Sequence, residues 1–172
     1  MDPFQVLGIP RRYDVDLAAV ARIHRELSRA LHPDRFAAAG ASERRASLEK
    51  ATEVNEAFRV ITDPVRRAEA LFALAGVATG ETREPKPTPA FLMDVMEQRE
   101  ALVDARVAKD EARVALLGRE MSARSDEAMS ALASGFARGG DVASLLPRLG
   151  ELRFYRRFLE EVAATVDEWE NG

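Results

Sequence analysis

Few residues in this sequence are of a type that does covalent or metal chemistry. There are two histidines, His24 and His32, and no cysteine. Without thiols the chain forms no disulfide, no thiolate zinc site, no cysteine-ligated iron–sulfur cluster and no thiol nucleophile. His24 and His32 lack the carboxylate-rich frame and the spacing of an H-E-x-x-H zinc site. No nucleophile–base pair and no glycine-rich phosphate loop is evident. The expectation is a protein that is not itself an enzyme, with no catalytic residue, no metal ligand and no cofactor. The chemistry left to it is recognition.

Two constellations are suited to that. The first surrounds His32-Pro33-Asp34-Arg35-Phe36. At 100° per residue, Leu17, Val20, Ala21, His24, Leu27, Ser28 and Leu31 fall on one side of a helix over 16–31 and form its core stripe. Arg22, Arg25 and Arg29 fall together within about 60° on another side, as one cationic ridge. Proline disfavours helical geometry for the residue before it, so His32 should end the helix and Asp34 should be displayed in a loop. Taken alone, a charged stripe is ordinarily a solvated helix face. His24 lies within the apolar stripe and reads as a satisfied core or boundary histidine.

The second constellation is an excess of apolar surface. On a helix over 90–106, Phe91, Val95, Leu102 and Ala105 cluster as a core face. Leu92, Met96 and Val103 form a second apolar sector about 100° away, and Met93 lies beyond it among Glu97, Glu100 and Asp104. One helix of a small bundle needs one apolar stripe, and exposed Leu and Met rimmed by charge suit an adaptable binding surface. In the last helix Leu145, Leu149, Leu152, Leu159, Ala163 and Val166 form the core stripe, with Phe154 roughly opposite. Such an aromatic is either covered by a neighbouring helix or offered to a partner.

Helices must position both. Alanine accounts for 30 of 172 residues, Leu, Glu and Arg are frequent, and β-branched alternation is missing. Breakers divide the chain into helices over 3–8, 16–31, 42–62 and 64–75, then 90–106, 108–137 and 142–170. The run from Gly76 to Pro89 reads as a linker, and the second half reads as a three-helix bundle. Pro147 fits the last helix in two ways. An N-cap at Asp141 places it in the interior, where it removes a backbone bond. An N-cap at Ser144 places it in the first turn, the better fit.

Charge and hydropathy set further limits. The 25 basic and 29 acidic residues leave a net charge of −4, against a general nucleic-acid surface. A ridge of three arginines offers only three phosphate contacts. The longest uncharged run, Ala70 to Gly80, is too short to span a bilayer, and no signal-peptide pattern begins the chain. A cytoplasmic protein with no nucleic-acid or membrane partner is expected.

With these residues assembled, the first 75 resemble a J-domain, the module that stimulates the ATPase of DnaK-class chaperones. The features that match are Phe4, Leu7 and Gly8, the basic second helix, His32-Pro33-Asp34, and a helix carrying Leu48, Ala51, Val54, Phe58 and Ile61. The resemblance implies that Asp34 pairs with a chaperone arginine. It implies that His32 and Pro33 hold the loop, and that Arg22, Arg25, Arg29 and Arg35 attract an acidic chaperone surface. Arg35 stands where lysine is commoner.

The run from Pro89 to Glu100 is similar to the C-terminal domain of the HscB family, co-chaperones of iron–sulfur cluster biogenesis. Asp63 to Glu69 and Lys109-Asp110-Glu111-Ala112 are similar to the same family. The likeness extends over essentially the whole chain and is weakest across Gly118 to Leu149. It implies an all-α fold with a J-domain over 1–75, a linker over 76–89 and a scaffold-binding three-helix bundle over 90–172. It implies two partners, an HscA/DnaK-class chaperone ATPase and the iron–sulfur cluster scaffold protein. The scaffold-binding positions it implies are Leu92, Met93, Met96, Glu97, Glu100, Asp104 and Phe154. Asp104 stands where the family often has glutamate, and Met96 where it often has leucine.

Overall fold

The structure, a computed structural model, describes residues 1–36, 39–80 and 85–171. Every regular element among them is helical. The chain separates into two compact units, Met1–Ala78 and Thr79–Gly172. Of the expected linker, residues 81–84 lie outside the described residues.

The first unit holds α1 (Pro3–Leu7), α2 (Leu17–Ala30), a 3-10 turn (Pro33–Phe36), α3 (Ala41–Thr62) and α4 (Pro64–Leu74). Local chemistry sets the starts. Asp2 accepts the backbone N–H of Phe4 at 3.0 Å, Asp16 that of Ala19 at 3.0 Å, and Asp63 those of Val65 and Arg66, both at 2.9 Å. Pro3 and Pro64 occupy the first helical position, where a missing N–H costs nothing. Phe4, Val20, Ala57, Ile61, Val65, Ala68 and Phe72 form the core. Leu17, at the start of the predicted α2 stripe, is exposed, as is Leu48 of α3.

One cation is buried in this core. The Arg67 guanidinium lies 4.7 Å from the centre of the Tyr13 ring and donates to the Ile61 carbonyl near the end of α3. Burial lowers the pKa of Arg67 and pushes the Tyr13 phenol up to about 12.

The second unit is built from α5 (Pro89–Val107), α6 (Glu111–Arg138) and α7 (Leu146–Glu170), with a 3-10 turn over Val142–Leu145. Arg99 meets Glu161 at 3.1 Å, and seven residues further along both helices Arg106 meets Glu168, so α5 and α7 run parallel. Between them in sequence, α6 runs antiparallel, and Arg124 joins Asp94 of α5 at 2.6 Å. Leu102, Ala105, Val114, Leu117, Met121, Leu132, Leu149, Leu152 and Phe158 fill the interior. An added Cβ at Gly135 would overlap the Leu145 side chain, so this glycine is what lets α6 close on the turn before α7.

Two expectations for the last helix are corrected. The α-helix begins at Leu146 with Leu145 as N-cap, not Ser144, while Asp141 caps the preceding 3-10 turn and Pro147 falls in the first turn. The buried side also differs from the predicted stripe. Ala163 and Val166 are exposed, while Leu146, Phe154, Tyr155, Phe158 and Thr165 are buried. The N-terminal half of α7 is enclosed on several sides, so a one-sided stripe does not describe it.

Candidate functional site

Residues 16–36 place charge at the surface of the first unit. Asp16 starts α2, and the bond from Ala19 N–H holds its carboxyl below the usual carboxylate range. With Val20 buried, the opposite side of α2 exposes Arg22, Arg25 and Arg29. Arg29 lies in the last turn, where a cation suits the helix dipole. Helix α2 ends at Ala30 with Leu31 as its C-cap, just ahead of His32, the residue that Pro33 steers away from helical geometry.

The turn that follows is closed by its own atoms. The Arg35 N–H donates to the His32 carbonyl at 3.0 Å, and the Asp34 N–H donates to His32 Nδ1 at 3.3 Å. His32 Nδ1 also lies 3.4 Å from the Asp34 carboxylate. Pro33 fixes the first φ of this turn. The Asp34 side chain is left 90% exposed, and Arg35 is exposed beside it. From α3, the buried Ser47 hydroxyl donates to the Leu31 carbonyl at 3.1 Å and fixes where the turn begins.

His24 sits at the boundary of the α2–α3 packing. Its ring stacks on Phe58 with centroids 4.1 Å apart, and Nε2 lies 2.9 Å from the Asn55 amide oxygen. Among the described residues, no three His, Asp or Glu side chains converge as a metal site. No helix among them is long and apolar enough to cross a membrane.

On the second unit, apolar side chains surround α5. Leu102 and Ala105 are buried, and Phe91 and Val95 are half-buried. Leu92, Met93, Met96, Val103 and Val107 are exposed, Met96 at 71%. Glu97, Glu100 and Asp104 are exposed alongside them. Phe154 does not join this surface. It is only 5% exposed, edge-on to Phe91 at 5.8 Å and packed against Tyr155 and Phe158. Of the two places the sequence allowed for this aromatic, covered or outward, the structure has it covered. It supports the inner side of α5 from α7.

Comparison with known proteins follows these two faces. A family described as the HSCB C-terminal oligomerisation domain matches residues 87–163. The Burkholderia multivorans protein described as co-chaperone protein HscB homolog is 35% identical over 97% of this chain and 95% of its own length. The homolog from Azoarcus is 34% identical over 99% of this chain and 96% of its own length. The chain belongs to the HscB co-chaperone family. Solved HscB structures agree. The chaperone from Vibrio cholerae superposes with a TM-score of 0.86 at 27% identity, covering 98% of this chain and 99% of that one. The human HscB co-chaperone gives 0.86 at 25% identity, covering 95% of this chain and 81% of that one.

In this HscB-type chain the sequence pattern did not disclose Ser47. It sits sixteen residues from the carbonyl it anchors, and only the packing of α2 on α3 brings the two together. A serine inside an otherwise polar helical stretch carries no sequence signal of that role.

Proposed function

We propose that this co-chaperone binds the iron–sulfur cluster scaffold protein through the exposed side of α5. On this reading it presents the scaffold to an HscA/DnaK-class chaperone and stimulates that chaperone's ATPase. The observation that carries it is the presence of two exposed surfaces of different chemistry on separate compact units. Asp34 and the cations Arg22, Arg25, Arg29 and Arg35 are exposed on one, and Leu92, Met93, Met96, Glu97, Glu100 and Asp104 on the other.

Each group has a physical role in this reading. Asp34 pairs with a cation of the chaperone, in a turn that His32 and Pro33 hold. The arginine ridge attracts an acidic chaperone surface, which acts mostly on association rate and salt dependence. Leu92, Met93 and Met96 lose water against the scaffold, and the carboxylates orient it at the rim. One chain carrying both faces raises the effective concentration of scaffold at the chaperone. Hydrolysis takes place on the chaperone, with no step on this chain.

The test is a steady-state ATPase assay with purified chaperone and scaffold. Asp34→Asn should abolish most of the stimulation, since truncating one member of a partly desolvated charge pair costs about 2–5 kcal/mol. Stimulation equal to the parent would reject the role of the turn. Calorimetry with Leu92→Ala/Met96→Ala should show scaffold affinity reduced about tenfold or more. Unchanged affinity would reject the α5 face.

A further inference from the structure

The face from Leu92 to Asp104 is small for a stable complex. The scaffold reading uses six of its exposed side chains, whereas a protein–protein interface commonly engages roughly 20–30 residues a side. Its apolar part continues in one direction only, because α5 begins at Pro89. At 100° per residue, positions 92, 96, 103 and 107 fall within about 60° of one another. Val103 is 59% exposed and Val107 80%. Leu92, Met96, Val103 and Val107 therefore form one outward stripe about 22 Å long at 1.5 Å per residue. Arg99 falls on the same side, with its guanidinium held by Glu161 of α7.

The stripe ends at an open groove of about 740 Å³, where the end of α5, the start of α6 and the end of α7 meet. Its apolar lining is Val103, Val107 and Trp169. The charged lining is balanced, with Arg106 paired to Glu168, and with one further cation, Lys109, and one further anion, Glu111. The row of Glu97, Glu100 and Asp104 is wholly acidic by contrast. A groove without net charge selects an apolar group, and an acidic row selects a cation.

We propose that the docking face runs past Asp104 into this groove, which takes an uncharged apolar side chain from a second segment of the same scaffold protein. The inference rests on the scaffold reading above. The stripe, interrupted only by the ion-paired Arg99, argues for one partner, because a protein laid over Met96 along α5 lies over Arg99 and Val103 next.

Trp169 makes the test direct, since it is the only tryptophan in the chain. The full chain labelled with 5-fluorotryptophan gives one fluorine resonance, which reports this residue alone. It is titrated with unlabelled, cluster-free scaffold protein. The expected result is a shift that saturates with the affinity calorimetry gives. The Val103→Gln/Val107→Gln variant should bind about tenfold more weakly, with its loss independent of salt. Both positions are exposed, and an unchanged thermal melt shows that the variant is folded.

A resonance that stays put at saturation would remove the groove, and weakening by Met96→Ala in that experiment would leave the scaffold reading standing. A shift accompanied by parent affinity in the double variant also overturns the proposal, because Trp169 would then report motion rather than contact. If the parent does not bind scaffold at all, both readings fall. The fluorine measurement uses the unmutated side chains, so a resonance that stays put rejects the groove even if the double variant melts early, and Val107→Ala at the 80% exposed position then supplies the affinity test in its place.

Discussion

The two faces differ in what holds them in place and in what they offer. The His32–Arg35 turn is a short segment closed by its own hydrogen bonds and anchored by Ser47, and it exposes the charged Asp34 and Arg35 side by side. The α5 face is one side of a long helix, fixed by Asp94–Arg124 to α6 and by Arg99–Glu161 and Arg106–Glu168 to α7. Its exposed groups are apolar with an acidic border. Charge on a constrained turn suits a contact that forms fast and responds to salt. Apolar area on a stapled helix suits one held by desolvation. A protein that must keep one partner while engaging another uses both.

The strongest test of that contrast is whether Phe154 belongs to the core or to the face. It is packed among Phe91, Tyr155 and Phe158. Phe154→Ala should destabilise the second unit by about 3–5 kcal/mol, as large-to-small changes in packed aromatic cores do. At temperatures where the variant remains folded, scaffold affinity should fall less than in Leu92→Ala/Met96→Ala. A variant with parent stability but lost affinity would return Phe154 to the face.

Next in size is a pH effect confined to the first unit. Burial pushes Tyr13 up to about 12 from an ordinary 10. Its neutral form is favoured in the fold, so its stabilising contribution is complete below pH 10 and is lost as pH rises to about 12. The full span is worth about 2–3 kcal/mol. Urea unfolding of the full chain at pH values across that window should lose this part of the slope in Tyr13→Phe. Tyr155 is also raised, by burial and then by Glu151, so the second unit keeps a slope of its own. An identical slope in parent and Tyr13→Phe would contradict the buried Tyr13–Arg67 arrangement.

A smaller effect separates the faces by salt. Replacing Arg22, Arg25 and Arg29 with alanine should raise the concentration needed for half-maximal ATPase stimulation by about tenfold at low ionic strength, and by less at high salt where the ridge is already screened. Scaffold binding to the same variant should match the parent. Equal salt sensitivity at both faces would break the contrast.

The sequence disclosed these regions unequally, for physical reasons. His32-Pro33-Asp34 is contiguous and the arginines repeat at helical spacing, so both are written in local order. Helix boundaries were legible within a few residues because glycines and prolines break the chain near the helix ends, and the structure adds Asp2, Asp16 and Asp63 as the caps there. The outward sector of α5 was legible as an excess over what one buried stripe needs. Ser47, the ends of the α5–α7 ion pairs and the meeting of Trp169 with Val103 and Val107 depend on residues far apart in the chain. No periodicity records them. Phe154 was misplaced because a helical wheel assumes one buried side, and the first half of α7 has neighbours on several.

Helix endings give the finest comparison between the units. Gly8 closes α1 with its N–H on the Gln5 carbonyl at 3.1 Å and the Ile9 N–H on Phe4 at 3.0 Å. Gly76 follows α4 with its N–H on Ala73 at 3.0 Å and the Val77 N–H on Phe72 at 2.9 Å. At the end of α5 the same pair of bonds is made by Lys109 to Arg106 at 3.1 Å and Asp110 to Ala105 at 2.9 Å. Lys109 has a φ of 53°, which an L side chain adopts at a cost of about 1 kcal/mol and glycine adopts freely. Lys109→Gly should therefore stabilise the second unit by about 0.5–1 kcal/mol, raising its melting temperature by roughly 2–8 °C. Lys109 also lines the groove beside Trp169. If that groove is a contact surface, the more stable variant should bind scaffold about two- to threefold more weakly through the lost side chain. A gain in stability with no change in affinity would leave Lys109 outside the interface, and a fall in melting temperature would mean that its side chain stabilises the turn by more than the backbone costs.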